Sequence, residues 1–187
     1  MSTYFTADTH FNHSNIIQFC NRPFASVELM NETLIKNWNN TIKNGDVVYV
    51  LGDFCFGGSG KYAETLTRLN GKKFLIRGNH DIEKDKNYIK GFEAILNQCI
   101  LNISHKKQIK LCHYPYAPSI WTRFFKRYIL KYSDKRPKKE GMWLLHGHSH
   151  CGVKIDVKNK QINVGVDLWG YTPISSDKII EIIEKNS

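Results

Sequence analysis

The chain has 187 residues, of which 41% are hydrophobic and 24% charged, which predicts one folded domain and argues against extensive disorder. Lysine and arginine outnumber aspartate and glutamate by 27 to 17, so the formal net charge is +10, which favours anionic partners such as phosphates, nucleotides or nucleic acids. No apolar run approaches the length of a membrane span, so we expect no membrane insertion. The five cysteines form no C-x-x-C pair, so we expect neither a disulfide framework nor a thiolate zinc site, and we predict that the protein works in a reducing cytoplasm.

The first half of the chain alternates between predicted strands and predicted helices. Three short β-prone runs are apolar enough to be covered on both faces: residues 3–7, 46–51 and 73–77. One helical pattern covers 27–44, where Ser26 can cap its start, and a second covers 61–70. This alternation predicts an α/β arrangement in which the loops that follow the strands meet at one edge of a sheet.

The second half is predicted to be rich in strands and to end in a helix. Five further runs have strand character: residues 98–103, 107–112, 142–146, 152–157 and 161–166. A hairpin turn is predicted at 158–160, between the last two runs. The final segment, 176–186, is predicted to be an amphipathic helix whose apolar face can pack on a core through Ile179, Ile180, Ile182 and Ile183. Since no domain boundary is visible, we predict a single domain over residues 1–187.

Polar residues occur where many of these runs end. They include most of the histidines of the chain: Asp8, His10, Asp53, Asn79, His80, His113, His146, His148 and His150. Carboxylate, imidazole and amide oxygen donors suit divalent metals, and an aspartate at a strand tip suits a bridge between two metals about 3.5 to 4 Å apart. The spacing in the segments 8–10 and 148–150 predicts two donors on the same side of an extended chain, able to approach one metal together or to divide between two.

A single aspartate after a strand is more often a turn residue, so the prediction depends on the whole set of motifs. The ordered motifs D-x-H, G-D, G-N-H-D, the histidine of CHYP and G-H-x-H, from Asp8 to His150, resemble those of the calcineurin-like metallophosphoesterase superfamily, in its small bacterial and phage-type members. The resemblance covers most of the chain. It implies an α/β fold of αββα type, a two-sheet β-sandwich flanked by helices, with a two-metal centre at the sheet edge.

The resemblance also implies a role for each motif residue. It implies two metals bridged by Asp53, with Asp8, His10 and His150 at one metal and Asn79, His113 and His148 at the other. Mn²⁺ is the favoured metal, with Fe, Zn, Ni, Co or Mg as alternatives. Two such cations lower the pKa of the water between them, so that a bridging hydroxide can attack phosphorus. His80 is then free to protonate the leaving alkoxide as a general acid, with Asp81 as a possible orienting partner.

Four residues near the motifs are open to two interpretations. His13 and His146 could support the ligands or contact substrate, although plain packing is the stronger interpretation. Asp167 could support a metal-binding histidine or form a turn, and Arg77 could reach phosphate or face solvent. Gly52 and Gly78 are expected to let the chain turn close to the metals.

A basic, aromatic segment covers residues 121–140. It carries eight lysines or arginines against two acidic residues, a balance of +6. Its aromatic residues recur at spacings of three and four, which predicts an amphipathic helix in an insertion at about 119–140. The aromatic residues could pack on the body of the protein, or the segment could clamp a polyanion. A helix that binds a membrane surface or another protein is a third interpretation.

These observations predict a dinuclear metal-dependent phosphoesterase. Phosphodiesters of nucleotide or nucleic acid type are the favoured substrates, on the basis of His80 and the basic segment. One alternative is a phosphomonoesterase acting on proteins or small molecules. Another is a non-catalytic nucleic-acid-binding module on the same fold, which the presence of all seven expected ligands and His80 argues against.

Overall fold

A computed structural model describes residues 1–81, 90–104, 107–117, 132–150 and 152–186. Within these ranges, ten strands form two five-stranded sheets, and helices flank them. The predicted α/β sandwich is therefore confirmed. Positions 118–131, which hold most of the predicted insertion and its amphipathic helix, lie outside the described residues. The single domain over 1–187 stays a prediction.

The first sheet is mainly parallel and has the strand order β10-β1-β2-β3-β4. Its strands are β1 (Thr3–Thr6), β2 (Val47–Val50), β3 (Lys72–Ile76), β4 (Ala94–Leu96) and β10 (Ile174–Ser175). Strands β1 to β4 run parallel, while β10 pairs antiparallel with β1 at one edge. The carboxyl ends of β1, β2 and β3 consequently lie at one edge, as predicted, and the three N-terminal motifs follow them there.

The second sheet has the order β5-β6-β7-β9-β8. Its strands are β5 (Gln98–Ser104), β6 (Lys107–Cys112), β7 (Trp143–His146), β8 (Ile155–Asp156) and β9 (Gln161–Asn163). Strands β6, β7 and β9 are parallel, and the antiparallel β8–β9 pair confirms the predicted hairpin. Only Asn97 separates β4 from β5, so the chain passes from the first sheet to the second in one residue.

Four helices accompany the sheets in the described ranges: α1 (Asn15–Phe19), α2 (Val27–Thr41), α3 (Gly58–Thr67) and α4 (Ser176–Lys185). The predicted cap of α2 is confirmed, because the Ser26 hydroxyl accepts the Leu29 N–H at 3.3 Å. Helix α2 ends three residues earlier than predicted, and α3 begins and ends three residues earlier. No helix among the described residues is both long and apolar enough to cross a membrane.

The core has two layers because strand side chains alternate between opposite faces of a sheet. Between the sheets, Phe5 and Ile76 of the first sheet belong to the same buried cluster as Leu111 and Leu145 of the second. The isoleucines of α4 join this layer, although Ile180 is only half-buried and so departs from the predicted face. On the opposite face of the first sheet, a second cluster packs β-strand residues such as Val48 against α2 and α3.

Some predicted strands were too long, and β4, β10 and α1 were not predicted. The run at 152–157 forms a strand only at Ile155–Asp156, and the run at 161–166 ends at Asn163. The Asn163 side-chain oxygen accepts the Gly165 N–H at 2.9 Å, which turns the chain away from the sheet. A short 3-10 helix, Val166–Leu168, follows and carries Asp167.

Candidate metal centre

The candidate centre lies where β1, β2 and β3 of the first sheet and β6 and β7 of the second sheet end. Four of the seven predicted ligands have positive φ angles: Asp8 (55°), His10 (50°), Asp53 (53°) and His148 (68°). Such left-handed conformations cost about 1 kcal/mol or more each for residues other than glycine, and they concentrate at functional sites. The prediction of an extended chain at 8–10 and 148–150 was therefore wrong, since the donors approach one another through turns.

A first group of donors combines Asp8, His10 and His150, whose ligand atoms all lie within 4.8 Å of one another. Asp8 is completely buried, and burial raises its pKa to about 6. Burial also lowers the pKa of His10 and keeps its ring neutral. The His10 Nε2 atom is buried and has no hydrogen-bond partner among the described residues. A buried polar nitrogen without a partner is destabilising, and a cation at this position would satisfy it.

A second group combines Asn79, His113 and His148. The His113 Nδ1 atom lies 2.8 Å from the Leu51 carbonyl oxygen, to which it donates. In the neutral ring, Nε2 therefore presents a lone pair, which faces Asn79 Oδ1 at 3.2 Å. The His148 Nδ1 atom lies 2.9 Å from the same amide oxygen. Three atoms able to donate electron pairs converge here, as a cation site requires.

Asp53 lies between the two groups. Its Oδ2 atom is 3.6 Å from His10 Nε2 in the first group and 3.6 Å from His113 Nε2 in the second. Its Oδ1 atom accepts the backbone N–H of His80 at 2.9 Å, which fixes the orientation of the carboxylate. One carboxylate thus faces both groups, and the donors of the segment 148–150 divide between them.

The donors therefore fit a pair of divalent cations. Carboxylate oxygens, imidazole nitrogens and one amide oxygen are the ligands that hard and borderline divalent metals prefer. His10 Nε2 and His113 Nε2 each lie 3.6 Å from Asp53 Oδ2, which is longer than an ordinary hydrogen bond. Cations placed between these atoms would be held by the carboxylate and the rings together.

Asp167 supports His150 rather than forming a simple turn. Its Oδ2 atom lies 2.8 Å from His150 Nδ1, and the buried Arg22 donates from Nε to its Oδ1 atom at 2.7 Å. Burial alone would lower the pKa of His150, but the hydrogen bond to Asp167 raises this pKa to about 11. The surroundings thus favour positive charge at this ring, and a cation bound at Nε2 would supply it.

Arg22 was not singled out from the sequence. Its guanidinium group also donates to the carbonyl oxygens of Asp8 at 2.7 Å and Thr9 at 3.0 Å. It therefore holds the β1 loop and Asp167 together. It belongs to no motif and no periodic segment, so the sequence contains no signal for its burial.

Asp81 has a structural role beside the predicted one. It is 1% exposed, and its carboxylate accepts the backbone N–H groups of Asp53 at 2.6 Å, Phe54 at 3.1 Å and Gly78 at 2.8 Å. The Tyr62 hydroxyl donates to it at 2.9 Å. Through these bonds Asp81 fastens the β2 loop to the β3 loop, and its role as an orienting partner of His80 stays a prediction.

Replacing Asp81 with alanine is expected to destabilise the fold by about 3 to 5 kcal/mol, because several buried donors lose a charged acceptor at once. Urea unfolding followed by circular dichroism measures this change. The control is Tyr62→Phe, which removes one donor and leaves the carboxylate in place, at a cost of about 1 kcal/mol. Equal destabilisation by the two substitutions would contradict this role for Asp81.

The His80 ring lies outside both donor groups. The residue is exposed, and its ring centre is 5.5 Å from that of His10 and 5.2 Å from that of Phe56. His13 stacks on Phe56 with ring centres 3.9 Å apart, and its Nδ1 atom lies 3.3 Å from His10 Nδ1. His13 therefore both packs and contacts a candidate ligand.

His146 has a packing role. It is buried, and its Nδ1 atom donates to the Gly147 carbonyl oxygen at 2.8 Å. Burial lowers its pKa to about 4, so the ring stays neutral.

Two glycines make the close packing of the loops possible, as predicted. A Cβ atom on Gly52 would lie 2.7 Å from the Gly78 nitrogen, and one on Gly78 would lie 2.6 Å from the Asp53 nitrogen.

Comparisons with known proteins find relatives that cover nearly the whole chain. The family model for calcineurin-like phosphoesterases matches residues 1–170. An uncharacterized protein of Methanocaldococcus jannaschii is 38% identical in an alignment of 189 positions. The alignment covers 97% of this chain and 91% of the relative. The gene 66 protein of Mycobacterium phage L5 is 26% identical over 202 residues, with 97% and 94% covered. A crystal structure of an Aquifex aeolicus protein of unknown function superposes with a TM-score of 0.71 and 30% identity, covering 97% of this chain and 98% of the other.

Proposed function

Because the chain belongs to the calcineurin-like phosphoesterase family, whose members hydrolyse phosphoesters with divalent metal ions, we propose that it is a dinuclear enzyme with a preference for phosphodiesters. The observation that carries the proposal is the position of Asp53. One of its carboxylate oxygens lies 3.6 Å from a ring nitrogen in each donor group. A shared oxygen between two sets of nitrogen and oxygen donors is what a two-metal site requires.

The proposed ligands follow from this geometry. Asp53 is the bridge, and the two ligand sets are Asp8, His10 and His150 at one metal and Asn79, His113 and His148 at the other. Mn²⁺ is the metal that we favour, since the set mixes hard oxygen with borderline nitrogen donors. Bound metals would supply an activated water nucleophile and would neutralise the phosphoryl oxygens during in-line attack.

We assign the proton transfer to His80. Its backbone is held by the Asp53 carboxylate, so its ring stays beside the centre without occupying a ligand position. A diester leaving group departs as an alkoxide, which needs a proton, and an exposed imidazole can supply one. The neutral amide of Asn79 adds no charge, and its NH₂ group is available to a phosphoryl oxygen.

The strongly basic charge balance of +10 favours diesters over monoesters, because it suits a polyanionic substrate such as a nucleic acid. The proton donor is compatible with either ester, since both can lose an alkoxide.

A reducing cytoplasm remains part of the proposal. Cys20, Cys55, Cys99 and Cys112 are free thiols, which suits such a compartment.

Hydrolysis of two chromogenic esters tests the proposal. With added Mn²⁺, we expect faster turnover of bis(p-nitrophenyl) phosphate than of p-nitrophenyl phosphate, complete loss of activity in excess EDTA, and recovery when Mn²⁺ is restored. Metal content measured in parallel should approach two ions per chain. Faster turnover of the monoester would indicate a phosphomonoesterase instead. Metal binding without hydrolysis of either ester would favour a non-catalytic binding module.

A further inference from the structure

The candidate centre opens on one side into a cleft. The cleft has a volume of about 890 Å³ and borders Gly78 and Asn79 at the end of β3. Its other walls come from the β4–β5 connection and from the stretch 132–140. Five of its lining residues are cationic: Arg77, Lys110, Lys135, Arg136 and Lys138. This volume lies within the usual range of ligand clefts, about 300 to 1,000 Å³.

The acidic residues of the cleft cancel only part of this charge. Asp81 directs its carboxylate to backbone N–H groups, and Glu140 forms an ion pair with Lys110. Asp134 is the third acidic residue among the described lining residues. Among the described lining residues, five cationic side chains thus stand against three carboxylates, so the cleft carries a net positive charge that attracts anions. Lys135 and Lys138 are both exposed. Their ammonium groups can follow a flexible anionic chain.

An aromatic surface lies near the same centre. Phe56 packs between the rings of His13 and His80, at centre-to-centre distances of 3.9 and 5.2 Å. Phe19, at the end of α1, lies 6.4 Å from the His13 ring and is 73% exposed. The exposed Phe19 ring and the neighbouring rings together offer flat apolar faces on which a base could stack. The His80 ring, which would protonate the leaving group, belongs to this surface.

We propose that the substrate is a single-stranded nucleic acid that crosses the candidate centre, with flanking phosphates in the cationic cleft and an unpaired base on the aromatic surface. The inference rests on the proposed function, because the scissile phosphate would lie between these two surfaces. A cationic groove combined with aromatic stacking is the general mode by which proteins hold single strands. A duplex offers no unpaired base, and inorganic polyphosphate offers no base at all.

Binding of defined polyanions tests the inference. Fluorescence anisotropy with Mn²⁺-loaded protein and a labelled, mixed-sequence DNA dodecamer with hydrolysis-resistant phosphorothioate linkages measures affinity, in single-stranded and duplex forms. Inorganic polyphosphate of matched charge, added as a competitor, measures attraction to phosphate alone.

The variants are the Lys135→Gln/Lys138→Gln pair and Phe19→Ala. The matched controls are Lys43→Gln/Lys72→Gln, which removes two exposed lysines at the opposite edge of the first sheet, and Ile100→Ala, which removes an apolar side chain that is 52% exposed.

The single strand is expected to bind more tightly than the duplex. Loss of two phosphate contacts in Lys135→Gln/Lys138→Gln should make the slope of log affinity against log salt less steep by about 1.4. Phe19→Ala should weaken binding of the single strand about five-fold or more, the effect of losing one stacked base, without changing competition by polyphosphate. Both controls should match the wild type.

Equal affinity for polyphosphate and single strand, or no effect of Phe19→Ala, would overturn the nucleic acid assignment. An unchanged salt slope in the double lysine variant would overturn the role of the cleft. These outcomes are independent of the proposed activity, which is read from hydrolysis of bis(p-nitrophenyl) phosphate by the wild-type protein. Binding of the dodecamer without ester hydrolysis would reject the proposed enzyme and leave the binding surfaces in place.

Discussion

Replacement of Asp53 by asparagine is expected to remove bound metal and to lower phosphodiester hydrolysis by about 1,000-fold or more. The substitution takes one negative charge from between the two donor groups, where Oδ2 lies 3.6 Å from His10 Nε2 and from His113 Nε2. Stabilisation of the transition state by metals amounts to several kcal/mol, and each 1.36 kcal/mol changes the rate ten-fold. An amide NH₂ in place of Oδ2 would also donate to a ring nitrogen that a metal needs.

The fold should tolerate this change, because the asparagine Oδ1 atom can still accept the backbone N–H of His80. Metal analysis after dialysis against Mn²⁺ and hydrolysis of bis(p-nitrophenyl) phosphate are the two measurements, with thermal unfolding as a check on folding. Asp46→Asn is a matched control, since Asp46 lies just before the opposite end of the same strand and bonds to Ser2 and Lys43. Wild-type metal content in Asp53→Asn would reject the bridging assignment.

Replacement of His80 by alanine is expected to keep both metals and to slow the chemical step. The ring belongs to neither donor group, and only its backbone bonds to the Asp53 carboxylate. General acid catalysis contributes about 100- to 10,000-fold, so turnover of thymidylyl-thymidine, which loses an alkoxide, should fall by that factor. Thymidine 5′-(p-nitrophenyl phosphate) should lose much less, because nitrophenolate departs without a proton.

The comparison between these two substrates is the internal control for His80→Ala. An equal fall for both leaving groups would mean that the ring positions substrate instead of donating a proton. Loss of metal in the variant would move His80 into the ligand set. Single-turnover rates are the appropriate measurement, since slow product release can hide a change in the chemical step.

The positions of the candidate ligands could be predicted because each motif lies at or just beyond the end of a strand. Parallel strands bring their carboxyl ends to one edge, so Asp8, Asp53 and Asn79 were expected to meet there. The local geometry could not be predicted in the same way. Asp8 and His148 adopt positive φ angles of 55° and 68°, which no rule of periodicity assigns to these residues.

Contacts over long sequence distances explain what else was missed. Arg22 and Asp167 are 145 positions apart, and a buried arginine has the same letter in a sequence as an exposed one. Strands β4 and β10, of three and two residues, are too short to show an alternating pattern and are defined by their pairing. The role of Asp81 depends on backbone donors, which the sequence does not display.

The single-residue passage at Asn97 limits how this protein can move. A hinge between two layers needs a connection that absorbs large dihedral changes and an interface that can separate. Here one residue links β4 to β5, residues 164–173 return the chain from β9 to β10, and the interface includes Phe5 and Leu145, both with no exposed surface. We therefore expect the two sheets to move as one rigid body throughout turnover. Candidate ligands that follow strands of both sheets would keep their spacing when a substrate binds, and only loops and side chains would need to change conformation.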